Sequence, residues 1–113
     1  MSPSEPTPDV IERRLALQRD LLAEFDRLLP LDADRLAAEP ITRAAVERIM
    51  QAVVDLALDV NAHVAASVLG QAPATGRESF DLMVSVGAID VALADALKPS
   101  VGLRNVLVHM YAD

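Results

Sequence analysis

Cysteine is absent from this 113-residue sequence, and so is tryptophan; tyrosine occurs once, phenylalanine twice and glycine four times. Without cysteine there is no disulfide framework and no thiolate metal site. Aromatics make up only 3% of a chain that is 52% apolar, so the core has to be built from Ala, Leu, Val and Ile. That palette suits closely packed helices, Ala and Leu being its strongest helix formers. Positive charge is also scarce: ten Lys and Arg stand against seventeen Asp and Glu, a net charge of −7. A nonspecific nucleic-acid binder is normally basic, so this balance argues against one and leaves room for a small local patch or a basic partner. Residues 1–8 are polar and Pro-rich and read as a disordered tail without the apolar core of a signal peptide. No apolar run approaches the roughly 18 residues of a membrane span. The expectation is a cytoplasmic protein, without membrane association, metal or cofactor, in which residues 9–113 form a single domain.

What is present is helical periodicity. Thr7-Pro8-Asp9 supplies a cap, a proline at the first helical position and an acid in the first turn. Ile11, Leu15, Leu22, Phe25 and Leu29 follow at helical spacing until Pro30. Asp32 is placed to cap a short helix, Ala33 to Ala38. Pro40 then opens the longest element, which runs to Leu69 with Gly70 as C-cap. Thr75 and Glu78 have capping-box spacing and start a helix carrying Phe80, Leu82, Met83 and Val86, interrupted at Gly87. Ile89 to Leu97 reads as the next helix. Lys98-Pro99-Ser100 either kinks it or opens a final helix, from about Ser100 to Met110. No segment alternates with period two for long enough to be a strand. The predicted fold is all-α, an antiparallel bundle of four to six helices.

The polar groups of the last helix carry the chemistry. Arg104, His109 and the single tyrosine, Tyr111, stand in the otherwise apolar run Leu103-Arg104-Asn105-Val106-Leu107-Val108-His109-Met110-Tyr111. Arginine is a permanent cation whose planar fork fits phosphate. Histidine, with an unperturbed pKa near neutrality, can take and return a proton. On an ideal helix, positions five apart lie about 140° from each other, so one copy does not readily aim both side chains at one point. A two-fold dimer would bring two arginines and two histidines into one cleft. Cleavage of RNA by its own 2′-hydroxyl needs a base, an acid for the leaving oxygen and cations for the crowded phosphorane, and no metal. The plainer alternative is a helix end at which histidine faces the dipole. Asp59 and His63, one turn apart, form either an acid–base unit or a pair that orients a helix face. Arg43, Arg48 and Arg77 are either part of an RNA path or solvating residues paired with acids such as Glu47 and Glu78.

The terminal string resembles the signature of the HEPN superfamily, and within it the HepT-like toxins of HepT–MntA toxin–antitoxin modules. Arg43-Ala44-Ala45-Val46-Glu47-Arg48, Asp59-Val60-Asn61-Ala62-His63, Glu78-Ser79-Phe80 and Val86-Gly87-Ala88-Ile89 extend the likeness upstream, from about residue 10 onward. The resemblance implies a homodimeric helical bundle with a composite, metal-independent ribonuclease site at the dimer interface. Arg104 and His109 would be catalytic and Asn105 supporting. The implied partner is a nucleotidyltransferase antitoxin that silences the toxin by transferring AMP to a tyrosine, for which Tyr111 is the only candidate. The sequence departs from the group in ending two residues after Tyr111, where relatives carry a further helix. The alternative expectation is a non-catalytic helical subunit that binds or regulates a nucleotidyltransferase; a purely structural helical dimer is a third.

Overall fold

The computed structural model describes residues 8–112, with side chains from residue 9 to residue 109. The tail assigned to residues 1–8 lies outside the described residues except for Pro8, the first residue of α1. Among the described residues there are five α-helices and no strand: α1 Pro8–Leu28, α2 Ala33–Ala38, α3 Pro40–Val64, α4 Gly76–Ser85 and α5 Val91–Ala112. A π-helical turn, Ala65–Leu69, prolongs α3.

The helix ends follow from local chemistry. Asp32 accepts a hydrogen bond from the Arg35 amide at 2.7 Å and starts α2. Gly70, at φ 67°, ends the extension of α3 in the left-handed conformation open to glycine. Thr75 Oγ1 accepts from the Glu78 amide at 3.0 Å, while Glu78 Oε2 reaches back to accept from the Ala74 amide at 3.0 Å. This is a capping box shifted by one residue. Asp90 caps α5 by accepting from the Leu93 amide at 2.7 Å.

At Pro99 the sequence leaves two outcomes open, a kink within one helix or the start of another, and the structure selects one continuous helix. Here α5 runs through the proline from Val91 to Ala112. Proline removes an intrahelical donor and crowds the preceding turn. Here it lies on the exposed side, where water can reach the freed carbonyl. Side chains serve its neighbours: Ser100 Oγ donates to the Leu97 carbonyl at 2.5 Å, and Arg77 Nη1 to the Lys98 carbonyl at 3.5 Å.

Pro40–Leu69 is the spine on which the other helices pack. Taken alone, its 30 residues are long and apolar enough to cross a membrane, which overturns the expectation that no such run exists. In the bundle it is flanked by α1, α2, α4 and α5. Phe80, Ala94 and Val101 form the buried centre, with Ala57, Leu58, Ile89 and Leu97 around them. The close approach of α3, α4 and α5 depends on Gly76: a Cβ there would stand 2.9 Å from Val101 Cγ1 and 3.3 Å from Leu58 Cδ2. By contrast α1 packs on α3, and at its end the Leu28 carbonyl accepts from Arg35 Nη1 of α2. Gln18 Nε2 of α1 donates to the Val53 carbonyl at 3.0 Å.

The bundle is consequently open on one side. Its radius of gyration is 15.7 Å, against about 13 Å for a compact chain of this length. An apolar groove of about 780 Å³ separates α1 from α4 and α5 over the floor of α3. Leu15, Leu22, Phe25, Met50, Val60 and Ile89 are among its lining residues.

Candidate functional site

Arg104 and His109 leave α5 on different sides, as the helical spacing requires. Arg104 faces α3 and is half-buried; His109 is exposed. The guanidinium is held by a residue 49 positions upstream. Arg104 Nε donates to Asp55 Oδ1 at 2.5 Å, in an ion pair whose side chains are 32% and 35% exposed. Nη1 donates to Asn105 Oδ1 at 3.2 Å. Among the described residues Nη2 has no hydrogen-bond partner. The arginine expected from the motif is therefore present, oriented and reachable, and Asn105 touches it directly.

Asp55 was not among the residues singled out from sequence. The available signal was a carboxylate within a mainly apolar stretch of the longest helix, where an acid needs a partner. Which cation supplies it depends on how α5 crosses α3, and local pattern does not contain that. Asp59, one turn on, forms an ion pair with Arg14 of α1 at 3.9 Å. Asp55 and Asp59 of α3 thus face cations on two different helices. Arg43 is paired with Glu47 at 2.7 Å, in accord with the solvating alternative for that arginine.

The outward side of α5 is unusual for a solvent-facing surface. Ala92, Ala96, Pro99, Leu103 and Val106 recur at alternating four- and three-residue steps, and all are exposed. Leu103 retains 40% and Val106 57% of its accessible surface. Such spacing is that of a seam along which two helices pack. His109, three residues after Val106, continues this side of the helix. The backbone of α5 extends through Tyr111, whose side chain lies outside the described residues.

Among the described residues no three His, Asp or Glu side chains stand close enough together to hold a metal ion. The arrangement offers an anchored cation and an exposed imidazole beside an apolar seam.

Comparison with known proteins supplies a family and a fold. A profile of the family described as Ribonuclease HepT-like matches residues 19–113. The mRNA nuclease HepT of Shewanella oneidensis (strain MR-1) is 34% identical over 59 residues, which span 52% of this chain and 44% of that protein. The chain thus matches less than half the length of this curated relative. A crystal structure of a toxin–antitoxin with AMP-PNP superposes with a TM-score of 0.80 at 25% identity, covering 89% of this chain and 76% of the other. A tyrosine-to-alanine mutant of an MntA–HpeT toxin–antitoxin superposes with a TM-score of 0.76 at 23% identity, covering 89% and 84%, a likeness of fold.

Proposed function

Since this chain belongs to the ribonuclease HepT-like family, we propose that it is the toxin of a toxin–antitoxin module, a metal-independent endoribonuclease that works as a homodimer in the cytoplasm. The observation that carries the reading is the division of labour along α5. Arg104 is anchored by Asp55 with part of its fork left to solvent, and His109 stands exposed at the end of an apolar seam. Two copies packed along Leu103 and Val106 would bring both histidines to one axis, with an arginine on either side.

In that cleft one His109 takes the proton of the RNA 2′-hydroxyl as its oxygen attacks the adjacent phosphorus. The other protonates the departing 5′-oxygen. Arg104 stabilises the phosphorane, and Asn105 keeps the guanidinium turned toward it. The products are a 2′,3′-cyclic phosphate and a 5′-hydroxyl. A nucleotidyltransferase antitoxin would transfer AMP from ATP to the Tyr111 hydroxyl, releasing pyrophosphate. An added phosphate two residues from His109 occupies the charge environment that the RNA phosphate needs.

The test is Arg104→Ala and His109→Ala, made singly in the full chain. Each abolishes toxicity and reduces RNA cleavage to a small, measurable residual rate while the circular dichroism spectrum stays helical. Toxicity retained in both variants would dismiss the reading. RNA with a single 2′-deoxy sugar at the cut site resists cleavage, and cutting there would exclude attack by the neighbouring hydroxyl.

The open apolar groove and the net charge of −7 favour a second reading, a non-catalytic subunit that docks onto a nucleotidyltransferase. A stable complex with that enzyme, together with no RNA cleavage by the freed chain, would select it.

A further inference from the structure

Arg104 is the only described arginine of α5, and its setting differs from that of a surface arginine. Long cationic side chains ordinarily sample many rotamers, and a phosphate that captures one has to order it first. Here the ordering is in place before any ligand arrives. Asp55 lies on the central helix, fixed in the bundle by its neighbours Val54, which is buried, and Ala57, which packs on the core. Its Oδ1 takes the Nε–H of Arg104 at 2.5 Å, and Asn105 Oδ1 takes Nη1–H at 3.2 Å. The guanidinium plane is thereby held at two of its three nitrogens. The third, Nη2, has no partner among the described residues.

We propose that Asp55 is a positioning residue for RNA cleavage: its carboxylate holds Arg104 from behind, so that the outer edge of the guanidinium is preset for the scissile phosphate. This rests on the ribonuclease function proposed above. Asp55 touches neither RNA nor the transferred proton; it acts through Arg104. A group held in its working geometry loses no orientational freedom when charge develops on the phosphorane, so the tether acts on the chemical step more than on RNA capture. The negative charge has an opposite effect on binding, because it partly cancels the potential that attracts the RNA backbone. The two effects separate experimentally. Asparagine keeps an acceptor for Nε–H and removes the charge, whereas alanine removes both.

Steady-state cleavage of a defined RNA by the full-length chain tests this. Asp55→Ala lowers kcat by about tenfold to a hundredfold, the size of effect that accompanies a misplaced reacting group. Asp55→Asn keeps kcat within a few-fold of wild type and lowers KM. In the Arg104→Ala background, Asp55→Ala produces no further loss, because the two residues act as one unit. Losses that multiply in the double variant, with wild-type cleavage intact, overturn the positioning role alone. A wild-type chain that cuts no RNA overturns the ribonuclease reading and this role together. If Asp55→Ala fails to fold, the Asn variant decides: a fall in kcat equal to that of Arg104→Ala, in a protein with wild-type circular dichroism, also overturns the role. The Arg104 Nε–H resonance gives a readout independent of cleavage. It is protected from solvent exchange in wild type and in His109→Ala, and rapid exchange in both removes the tether.

Discussion

Asn61 of α3 donates its side-chain amide to Ser79 Oγ of α4 at 3.0 Å, a hydrogen bond between two buried residues in an otherwise apolar interior. Ser79 Oγ in turn donates to the Gly76 carbonyl at 2.6 Å, so a short chain of donors runs across the junction of the two helices. Buried polar groups that are fully paired specify how helices meet, and leaving one unpaired is costly.

Ser79→Ala therefore strands the Asn61 amide and lowers unfolding free energy by about 1–3 kcal/mol. Asn61→Leu added to Ser79→Ala recovers part of that loss, because no unpaired donor remains. Urea midpoints of the three proteins check this; a Ser79→Ala midpoint equal to wild type would contradict it.

Lys98 links α5 to α4. Its Nζ is 2.5 Å from Asp81 Oδ1 and 3.5 Å from Asp95 Oδ1. The hydrogen bond to Asp81, opposed in part by desolvation and aided by the charges of both acids, raises the ammonium pKa above its ordinary value of 10.5. Since the folded value exceeds the unfolded one, the stabilisation is fully present below pH 10.5 and is lost as pH rises through the folded value. Wild type loses stability more steeply than Lys98→Met above that pH, and parallel curves of denaturation midpoint against pH would refute the linkage.

Val106 tests the seam of α5. With 57% of its surface accessible, replacement by glutamate changes the stability of the isolated chain by no more than about 0.5 kcal/mol. A charge at the centre of a helix–helix contact does separate two copies. Val106→Glu is expected to be a folded monomer by light scattering that does not cleave RNA. A dimer with full activity would place the contact elsewhere.

Tyr111 is tested by mass. Wild type incubated with the nucleotidyltransferase and ATP gains one or more AMP units, and Tyr111→Phe, which lacks the accepting hydroxyl, gains none. The variant remains toxic in the presence of the partner. An unchanged gain of mass in Tyr111→Phe would move the modification to another residue.

Much of the fold was legible along the chain because it is written in short-range chemistry. Asp32, Gly70 and Thr75 each act within a few residues, and their caps stand where the sequence predicts them. The Pro99 region was not legible in this way. A proline leaves a kink or a new helix open, and which occurs depends on solvent at the exposed side and on donors such as Arg77, brought from α4. The membrane-length spine was likewise misjudged by counting residues. Its role as the floor of a bundle comes from the helices laid against it.

The amino-acid sequence by itself determined the helical class, the caps and the identity of the motif residues Arg104, Asn105, His109 and Tyr111, because periodicity and residue chemistry are local properties. Only the tertiary structure decided that Asp55 meets Arg104, that His109 stands beside an open apolar seam and that α1 leaves a groove uncovered. Each depends on the angle and register at which helices cross, and those are set by packing among residues distant in the chain.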